Sequence, residues 1–410
     1  MGARRIVVTG FGAVSALGGT AIDNWQAARD GICGIAPEQI DPGPNGPPPF
    51  SATIARPKPG YAARMDERMG RKVSGLLDSA ALLQLTAAFE ALEHAELLGS
   101  PVLDQRTAVV VGQGMCGLHT LEKAYERFYG SKHERVHPAM VPKVMTSAPA
   151  SAVAMQFGVH GPVFGTSSAC ASSAHAIIQG AMLIAAGLAD VAIVGGSEAI
   201  ATPGCIRGWM AIHALSSNPC RPFSRDRDGM SLAEGGAALV LESLEHAERR
   251  GATPIAEYLG GGMSSDAGHI TQPSLEGPVS AMQQTAAAAN LLDVDDILIS
   301  THGTGTPLND ANEASALRAV FGDKIVRRPV IATKSAHGHL IGGAAALQTV
   351  IALQAIRNKL APPILNWNEA DPACDLDLVT GSAREIGCDH LLVNAFAFGG
   401  LNASLAFRTM

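Results

Sequence analysis

The sequence predicts an α/β fold with a largely parallel sheet, organised as two similar halves. Short apolar runs bounded by glycine, typical of buried strands, alternate with longer segments of helical periodicity. The alternation occurs on both sides of a break near residues 250–257, and a chain of 410 residues is long enough for two domains. Since no residue-level repeat is visible, the alternation alone suggests a duplication.

The strands and helices can be placed approximately along the chain. The predicted strands are residues 5–10, 107–112, 189–195, 235–242, 297–301, 330–334, 377–380, 391–395 and 403–407. The predicted helices of the first half are residues 23–30, 65–98 and 117–129, with a further one after residue 173. Residues 41–60 are rich in proline and glycine, which favours a surface loop.

The composition is that of a globular protein in a reducing compartment. Hydrophobic residues make up 47% and the net charge is −7, which argues against nucleic acid as a partner. The seven cysteines include no C-x-x-C pair, which favours free thiols and a cytoplasmic location. The longest apolar region, residues 177–196, is interrupted by Gln179 and Asp190, so no membrane span is expected.

A cysteine among small residues is the first candidate for chemistry. Residues 161–173 read GPVFGTSSACASS, and apolar residues at helical spacing follow from Ala174 to Leu188. This pattern predicts Cys170 in the first turn of a buried helix, where free N–H groups and the helix dipole favour a thiolate. The alternative is a free cysteine that serves packing alone.

Three loops that follow predicted strands carry the other candidates. They read THGTGTPLND (residues 301–310), KSAHGHLIGG (334–343) and NAFAFGGLNAS (394–404). Because sites in α/β sheets form at the carboxyl ends of strands, we expect His302, Lys334 and one or both of His337 and His339 to approach Cys170. A thiolate with cationic and imidazole donors is suited to acyl transfer through a thioester. Each histidine could instead be structural, and Lys334 a surface charge.

Two further motifs are interpreted as structural. Residues 133–137 read HERVH, a formal match to a zinc-protease pattern, but Pro138 removes the second histidine from helical geometry. Gly10 and Gly12 resemble the start of a dinucleotide fingerprint, yet Ser15 stands where its third glycine belongs, so we expect a tight turn after the strand. No metal and no separate cofactor are therefore predicted.

These motifs together resemble the elongating type II β-ketoacyl-acyl-carrier-protein synthases over essentially the whole chain. The resemblance rests on RRIVVTGFGAVSALG at the start, TSSACASS, RPFSRDRDGMSLAEGGAALVLE in the middle and the three loops. It implies a thiolase-like fold of two βαβαβ halves in five αβαβα layers. We assign residues 1–255 to the half with the cysteine and residues 256–410 to the half with the catalytic histidines and the lysine.

The resemblance also implies a decarboxylative Claisen condensation. An acyl group would pass from the phosphopantetheine of acyl carrier protein to Cys170, and the carbanion from malonyl carrier protein would then attack that thioester. By motif position His302 and His339 would donate to the developing enolate and Lys334 would organise the site electrostatically. Backbone N–H groups of Cys170 and Phe396 would form the oxyanion hole, with Phe396 also the gate.

Substrate and partner contacts follow from the same comparison of motifs. The residues implied for substrate binding are Thr304 and Thr306 on the pantetheine arm, and Met115, Trp209 and Phe398 at the acyl pocket. The basic residues that could dock an acidic carrier protein are Arg64, Arg68, Arg71 and Lys72, with a solvated helix face as the alternative. A homodimer is expected, or a heterodimer with a related subunit.

Some positions depart from the family pattern. Ala397 replaces a usual glycine of the gate loop, Leu401 a small polar residue, Gln348 a frequent glutamate and His213 a frequent arginine. The Gln348 substitution puts a bound structural cation and the partner of Lys334 in question. A specialised lipid or polyketide pathway is therefore as compatible with the sequence as fatty acid synthesis, and the bulk of Trp209 predicts a short or unusually shaped acyl pocket.

Three other functions are compatible with parts of the sequence. A non-catalytic chain-length factor would lack the cysteine that this chain keeps. A degradative thiolase would need a second catalytic cysteine in a glycine-rich loop, and neither Cys374 nor Cys388 lies in one. A cysteine hydrolase would need water access, which the apolar surroundings of Cys170 disfavour.

Overall fold

The computed structural model describes residues 4–44, 46–130 and 135–410. The strands are β1 (Ile6–Val14), β2 (Ala36–Ile40), β3 (Phe50–Ala55), β4 (Thr107–Gly112), β5 (Val163–Thr166), β6 (Val191–Glu198), β7 (Leu232–Ala233), β8 (Gly235–Ser243), β9 (Ala256–Ser265), β10 (Ile297–Ser300), β11 (Val330–Ile331), β12 (Leu360–Ala361), β13 (Arg384–Glu385), β14 (His390–Ala397) and β15 (Leu401–Thr409). The helices are α1 (Ala21–Arg29), α2 (Tyr61–Met69), α3 (Arg71–Ser74), α4 (Ser79–His94), α5 (Leu118–Tyr125), α6 (Met140–Val144), α7 (Ala148–Phe157), α8 (Ser172–Ala185), α9 (Pro203–Ala211), α10 (Leu244–Arg249), α11 (Glu276–Ala288), α12 (Pro307–Phe321), α13 (Lys334–His337) and α14 (Ala344–Arg357).

Ten strands form one mixed sheet in which the same topology occurs twice. The order is β11-β10-β14-β15-β9-β1-β8-β6-β4-β5, and β1 pairs with β9 where the halves meet. Each half contributes five strands, which we count from first to fifth along the chain. From the outer edge of the sheet to its centre, both halves have the order third, second, fourth, fifth, first. The second strand pairs in parallel with its two neighbours, whereas the fifth pairs antiparallel with the fourth and the first. This is the duplication that the sequence predicts.

Helices complete a five-layered arrangement. α8 and α14 pack against each other between the two halves of the sheet. Every residue of α14 except Arg357 is buried, as expected for a helix that is apolar on all sides. On the outside, α4 and α7 cover the first half and α11 and α12 cover the second. The αβαβα layering expected from the resemblance is therefore present.

Glycines of β1 allow a close approach of helix and strand. A Cβ atom at Gly12 would lie 2.2 Å from the carbonyl oxygen of Ala87 in α4, and one at Gly10 would lie 2.2 Å from that of Ala91. Both glycines are inside the strand, so the predicted tight turn is wrong and their function is to let α4 pack directly on β1.

Other predictions of local structure also need correction. The sheet is not largely parallel, because the fifth strand of each half returns antiparallel. The single helix predicted for residues 65–98 is broken into α2, α3 and α4, and Gly70 at φ +82° makes the first break. β3 lies within the predicted surface loop, and residues 377–380 form isolated bridges instead of a strand.

The structure does not test two of the predictions. The boundary between residues 255 and 256 falls in the connection from α10 to β9 and stays a prediction. Residues 133 and 134 of the H-E-x-x-H match lie outside the described residues.

Across the described part of the chain, no helix has the length and apolar character needed to span a membrane.

Candidate active site

The structure brings Cys170, His302 and His339 together from the two halves of the fold. Cys170 lies in a short 3₁₀ turn (Ala169–Ala171) that precedes α8, and the preceding Ala169 has φ +47°. His302 follows β10, and His339 follows α13. The thiol sulfur and one ring nitrogen of each histidine all lie within 4.8 Å of one another. Because all three side chains are buried, substrate groups that reach them leave bulk water.

The hydrogen bonds of His339 determine which ring nitrogen carries its proton. The backbone N–H of Ile341 donates to His339 Nδ1 at 3.1 Å. A neutral imidazole whose Nδ1 accepts carries its proton on Nε2. His339 Nε2 is buried and has no partner among the described residues. Burial, followed by the charge of Lys334, holds the pKa of His339 well below its usual range. His339 is therefore a neutral donor available to a substrate oxygen.

Lys334 gives His302 the same tautomer. Its ammonium donates to the carbonyl oxygen of His302 and to Gln348 Oε1, both at 2.5 Å, and lies 3.5 Å from His302 Nδ1. Since an ammonium only donates, Nδ1 faces it as an acceptor and Nε2 carries the proton. Burial, then Lys334, holds the pKa of His302 well below its usual range. Two neutral Nε2–H donors therefore flank the thiol.

Gln348 is the partner of Lys334 that the sequence left in question. Its Nε2 donates to the carbonyl oxygen of Thr301 at 2.7 Å, so both ends of the amide are used. Burial is the largest cause that lowers the pKa of Lys334, while nearby Glu313 raises it. A neutral amide at this position thus fixes the lysine without neutralising it.

Two buried carboxylates that the sequence analysis missed support the loop with His302. Glu313 accepts from the backbone N–H groups of His302 at 2.8 Å and Gly303 at 2.9 Å. Asp310 accepts from the N–H of Thr304 at 3.1 Å. Both belong to α12, and the signal was their spacing of three residues in the helix that follows the motif. They hold the backbone that presents His302 and Thr304.

Burial keeps the Cys170 thiol protonated. Desolvation is the largest effect and raises the pKa of Cys170 to about 12. Lys334 and the backbone N–H groups of Phe398 and of Cys170 itself lower this pKa, and Glu198 raises it. The expectation of a resting thiolate at the helix start is therefore wrong, because the cost of burying the charge exceeds the stabilisation from the helix end.

We expect alkylation of Cys170 to show this directly. Because the thiolate is the reactive form, the rate with iodoacetamide should rise about tenfold for each pH unit from about pH 7 to about pH 9. The rate is measured by peptide mass spectrometry, with the exposed Cys33 in the same sample as a check on reagent quality. A Cys170 rate that is already at its plateau near pH 7 would contradict a protonated resting thiol.

Phe398 occupies the position that the sequence analysis gave to Phe396. Phe396 lies in β14 with 6% exposure, and its ring centroid is 6.0 Å from that of His302. Phe398 follows the strand and is 40% exposed, and its backbone N–H lowers the pKa of the Cys170 thiol. Because Phe396 is held inside the strand and the N–H of Phe398 acts on the thiol, Phe398 is the better candidate for the oxyanion donor and gate, and both roles remain a proposal.

The loop between β14 and β15 makes its turn at two glycines, the first of which is two residues beyond Ala397. Ala397 ends β14 and pairs with Leu401 at the start of β15, in ordinary strand geometry. The turn itself is made by Gly399 at φ +81° and Gly400 at φ +70°. Ala397 and Leu401 therefore lie in strand positions beside the turn, where neither residue needs a positive φ.

A cavity of about 530 Å³ opens onto the thiol. Cys170, His302, His339, Thr304 and Thr306 all line it. The lining also includes Trp209 and Phe398, whose rings stack with centroids 6.0 Å apart and planes 27° apart. Met115 is not among the described residues that line this cavity. The predicted pantetheine and acyl contacts thus share one cavity, with the exception of Met115.

The four basic residues predicted to dock a carrier protein differ in their surroundings. Arg64 donates to the carbonyl oxygen of Gly19 at 3.0 Å. Arg68 pairs with Glu93 at 2.7 Å and lies over the ring of Phe89. The remaining two, Arg71 and Lys72 at the start of α3, are exposed. Two of the four therefore have structural contacts, and two face solvent.

The cluster of Cys170, His302 and His339 consists of residue types that can bind zinc, but its protonation does not suit a metal. A metal needs the lone pair of a ring nitrogen and a thiolate. In His339 the N–H of Ile341 occupies the Nδ1 lone pair, which leaves a proton on Nε2. The donor chemistry of Cys170, His302 and His339 fits hydrogen-bond donation to a substrate better than coordination of an ion.

Comparisons with known proteins identify the family of the chain. Residues 3–247 match the family profile "Beta-ketoacyl synthase, N-terminal domain", and residues 255–368 match the corresponding C-terminal domain. Nodulation protein E of Rhizobium leguminosarum bv. trifolii is 39% identical over 99% of both chains. The 3-oxoacyl-[acyl-carrier-protein] synthase 2 of Coxiella burnetii is 36% identical over 98% of both chains. The solved ishigamide ketosynthase/chain length factor has a TM-score of 0.91 at 29% identity and covers 100% of both chains. The chain therefore belongs to the β-ketoacyl synthase family of condensing enzymes, as its motifs predict.

Proposed function

We propose that this protein condenses an acyl group held on Cys170 with malonyl-acyl carrier protein, and that it releases carbon dioxide and 3-oxoacyl-acyl carrier protein. The observation that carries the proposal is a buried thiol beside two neutral imidazoles, with the sulfur and one ring nitrogen of each histidine within 4.8 Å of one another. The name of the synthase from Coxiella burnetii, which includes the same carrier protein, supports the substrate class.

The first half-reaction transfers the acyl group to the cysteine. The thioester carbonyl oxygen accepts hydrogen bonds from the backbone N–H groups of Cys170 and Phe398, which stabilise the negative charge of the tetrahedral intermediate. The Cys170 sulfur forms the new C–S bond as the C–S bond to phosphopantetheine breaks. The thiol proton of Cys170 leaves with the phosphopantetheine sulfur, so that no net charge remains in the buried site.

The second half-reaction depends on the histidines. When the malonyl group loses carbon dioxide, the electron pair of the broken C–C bond becomes an enolate. The enolate oxygen accepts from Nε2–H of His302 and of His339, which are neutral before the step because both pKa values are strongly lowered. The α-carbon then attacks the acyl carbonyl, the C–S bond to Cys170 breaks, and the sulfur leaves as a thiolate that takes up one proton from solvent.

We infer a second copy of this chain as its partner in solution. Three aromatic residues in and after α5 are exposed and contact one another, with Tyr129 exposed to 73%. The other two are Tyr125 and Phe128. An exposed aromatic group of this kind is typical of a protein interface. The name of the ishigamide structure, which includes a chain length factor, keeps a related subunit as the alternative partner.

Reconstitution tests the proposed function. The purified protein is mixed with butyryl-, octanoyl- or dodecanoyl-carrier protein and malonyl-carrier protein, and products are identified by mass spectrometry. We expect a 3-oxoacyl product that is two carbons longer than the primer, together with carbon dioxide. A protein that neither loads an acyl group nor forms product, with every primer and with a related subunit added, would contradict the proposal and support a non-catalytic subunit.

Trp209 is expected to limit the length of the primer. Its indole lines the cavity with Cys170 and stacks on Phe398, so Trp209→Ala frees space beside the acyl group. Two further buried methylenes contribute about 0.8 kcal/mol each, so kcat/KM for decanoyl relative to octanoyl primer should rise roughly tenfold. Trp209→Phe keeps an aromatic ring beside Phe398 and is the matched control. We expect a smaller rise in the decanoyl-to-octanoyl ratio of kcat/KM in this variant. An unchanged preference in Trp209→Ala would remove Trp209 as the limit.

A further inference from the structure

Glu198 is a buried carboxylate that the mechanism described above does not use. It ends β6 with 0% exposure. Its Oε1 accepts from the backbone N–H of Met115 at 2.9 Å, and its Oε2 accepts from Gly114 at 2.9 Å and from Gly342 at 2.8 Å. Three N–H groups from two loops therefore meet at one carboxylate.

These two loops lie too close together for side chains. Gly114 follows β4 in the first half, and Gly342 follows His339 in the second. A Cβ atom at Gly342 would lie 2.2 Å from the backbone nitrogen of Gly114 and 2.8 Å from Glu198 Oε2. Because buried N–H groups without acceptors are costly, the carboxylate is what allows the two backbones to approach each other.

The loop held by Glu198 is the one that sets the tautomer of His339. Ile341 lies between His339 and Gly342, and its N–H donates to His339 Nδ1 at 3.1 Å. Ile341 has φ +39°, a conformation that is unfavourable for a β-branched residue. The hydrogen bond from Gly342 to Glu198 anchors the next residue, so it opposes relaxation of this strained turn.

We propose that Glu198 is a positioning residue, which holds the Ile341–Gly343 turn so that His339 keeps its proton on Nε2 and presents it to the malonyl carbonyl. The kinetic consequence rests on the proposed function, whereas the tautomer of His339 does not. Glu198 acts through Gly342 and Ile341 and does not line the cavity among the residues described there.

The test compares the two half-reactions in Glu198→Gln. The amide places an NH₂ group against backbone N–H donors, so we expect the turn to relax and His339 to be misplaced. Release of carbon dioxide from malonyl-carrier protein should fall about 100-fold, the scale of a misplacement of about 1 Å. Acyl loading of Cys170 should stay close to the wild-type rate, because the proposed loading step does not use the Nε2–H of His339 and Glu198 does not line the cavity among the residues described there.

Glu90→Gln is the matched control. Glu90 is also a largely buried carboxylate, and it accepts from the backbone N–H groups of Ala13 at 2.9 Å and Ala21 at 2.7 Å, with no link to His339. Both half-reactions should be unchanged in this variant. Equal losses of loading and decarboxylation in Glu198→Gln would show a general structural role and overturn the proposal.

The histidine tautomer provides a readout that does not depend on activity. In wild-type protein with ¹⁵N-labelled histidine, the His339 shifts should show a proton on Nε2, and Glu198→Gln should add a population with the proton on Nδ1. A wild-type proton on Nδ1, or an unchanged tautomer in the variant, would overturn the proposal. If Glu198→Gln does not fold, Glu198→Asp, which keeps the carboxyl group with a shorter reach, is compared in the same two assays.

Discussion

Cys170→Ala is expected to abolish acyl loading and to lower the rate of condensation by about 10⁴-fold or more. Among the described residues that line the cavity, Cys170 is the one that carries a thiol, and in the proposed mechanism the backbone N–H groups of Cys170 and Phe398 bind the acyl oxygen. Without that sulfur no covalent intermediate can form, so the malonyl carbanion has no acyl thioester to attack. The measurement is intact-protein mass after incubation with octanoyl-carrier protein.

Cys388→Ala is the control for this loss. Cys388 is also buried, and it does not line the cavity among the residues described there. The control variant should gain one octanoyl group, as the wild-type protein does. Loading of Cys170→Ala at the wild-type rate would show that another residue is the nucleophile and would contradict the assignment.

His302→Ala and His339→Ala should separate the two half-reactions. Each variant removes one N–H donor to the enolate oxygen, and loss of one such donor typically costs about 10²- to 10³-fold in rate. Release of carbon dioxide from malonyl-carrier protein should therefore fall by that factor in each variant. Acyl loading of Cys170 should remain much faster than decarboxylation, because its oxyanion donors are the backbone N–H groups of Cys170 and Phe398.

The neighbouring His337 provides the matched control for the histidine variants. It is fully buried and close in sequence to His339, but its Nε2 is engaged with Thr333 Oγ1 at 3.0 Å, and it does not line the cavity among the residues described there. His337→Thr should decarboxylate malonyl-carrier protein at nearly the wild-type rate. A loss in this variant as large as that in His339→Ala would mean that the effect is structural.

Much of the fold could be predicted from the alternation of apolar and helical segments, but strand direction could not. An apolar run such as residues 403–407 indicates a buried strand without indicating whether its neighbour is parallel or antiparallel. The return of β15 against β14 is a local turn at Gly399 and Gly400, whereas the antiparallel pairings of β8 with β1 and of β15 with β9 join segments far apart in sequence. Similarly, the break at Gly70 divides a region whose helical periodicity is continuous on both sides.

The residues of the candidate site could be predicted from the sequence where they lie in short motifs of reactive side chains. Cys170, His302, Lys334 and His339 all lie in such motifs, and the fold brings them together. The choice between Phe396 and Phe398 was not accessible, because residues two apart in a strand share a face and only the turn after β14 decides which N–H reaches the thiol. Glu198 was missed because its partners are backbone N–H groups from distant segments, which leave no side-chain pattern.

The most direct test of the account is a single-turnover chase of the loaded enzyme. Wild-type protein is loaded with an octanoyl group, separated from free carrier protein and mixed with malonyl-carrier protein. We predict that the octanoyl mass leaves Cys170 and appears as 3-oxodecanoyl-carrier protein, with one carbon dioxide per acyl group. An octanoyl group that stays on Cys170, or that is released as octanoic acid without a condensation product, would contradict the proposed function.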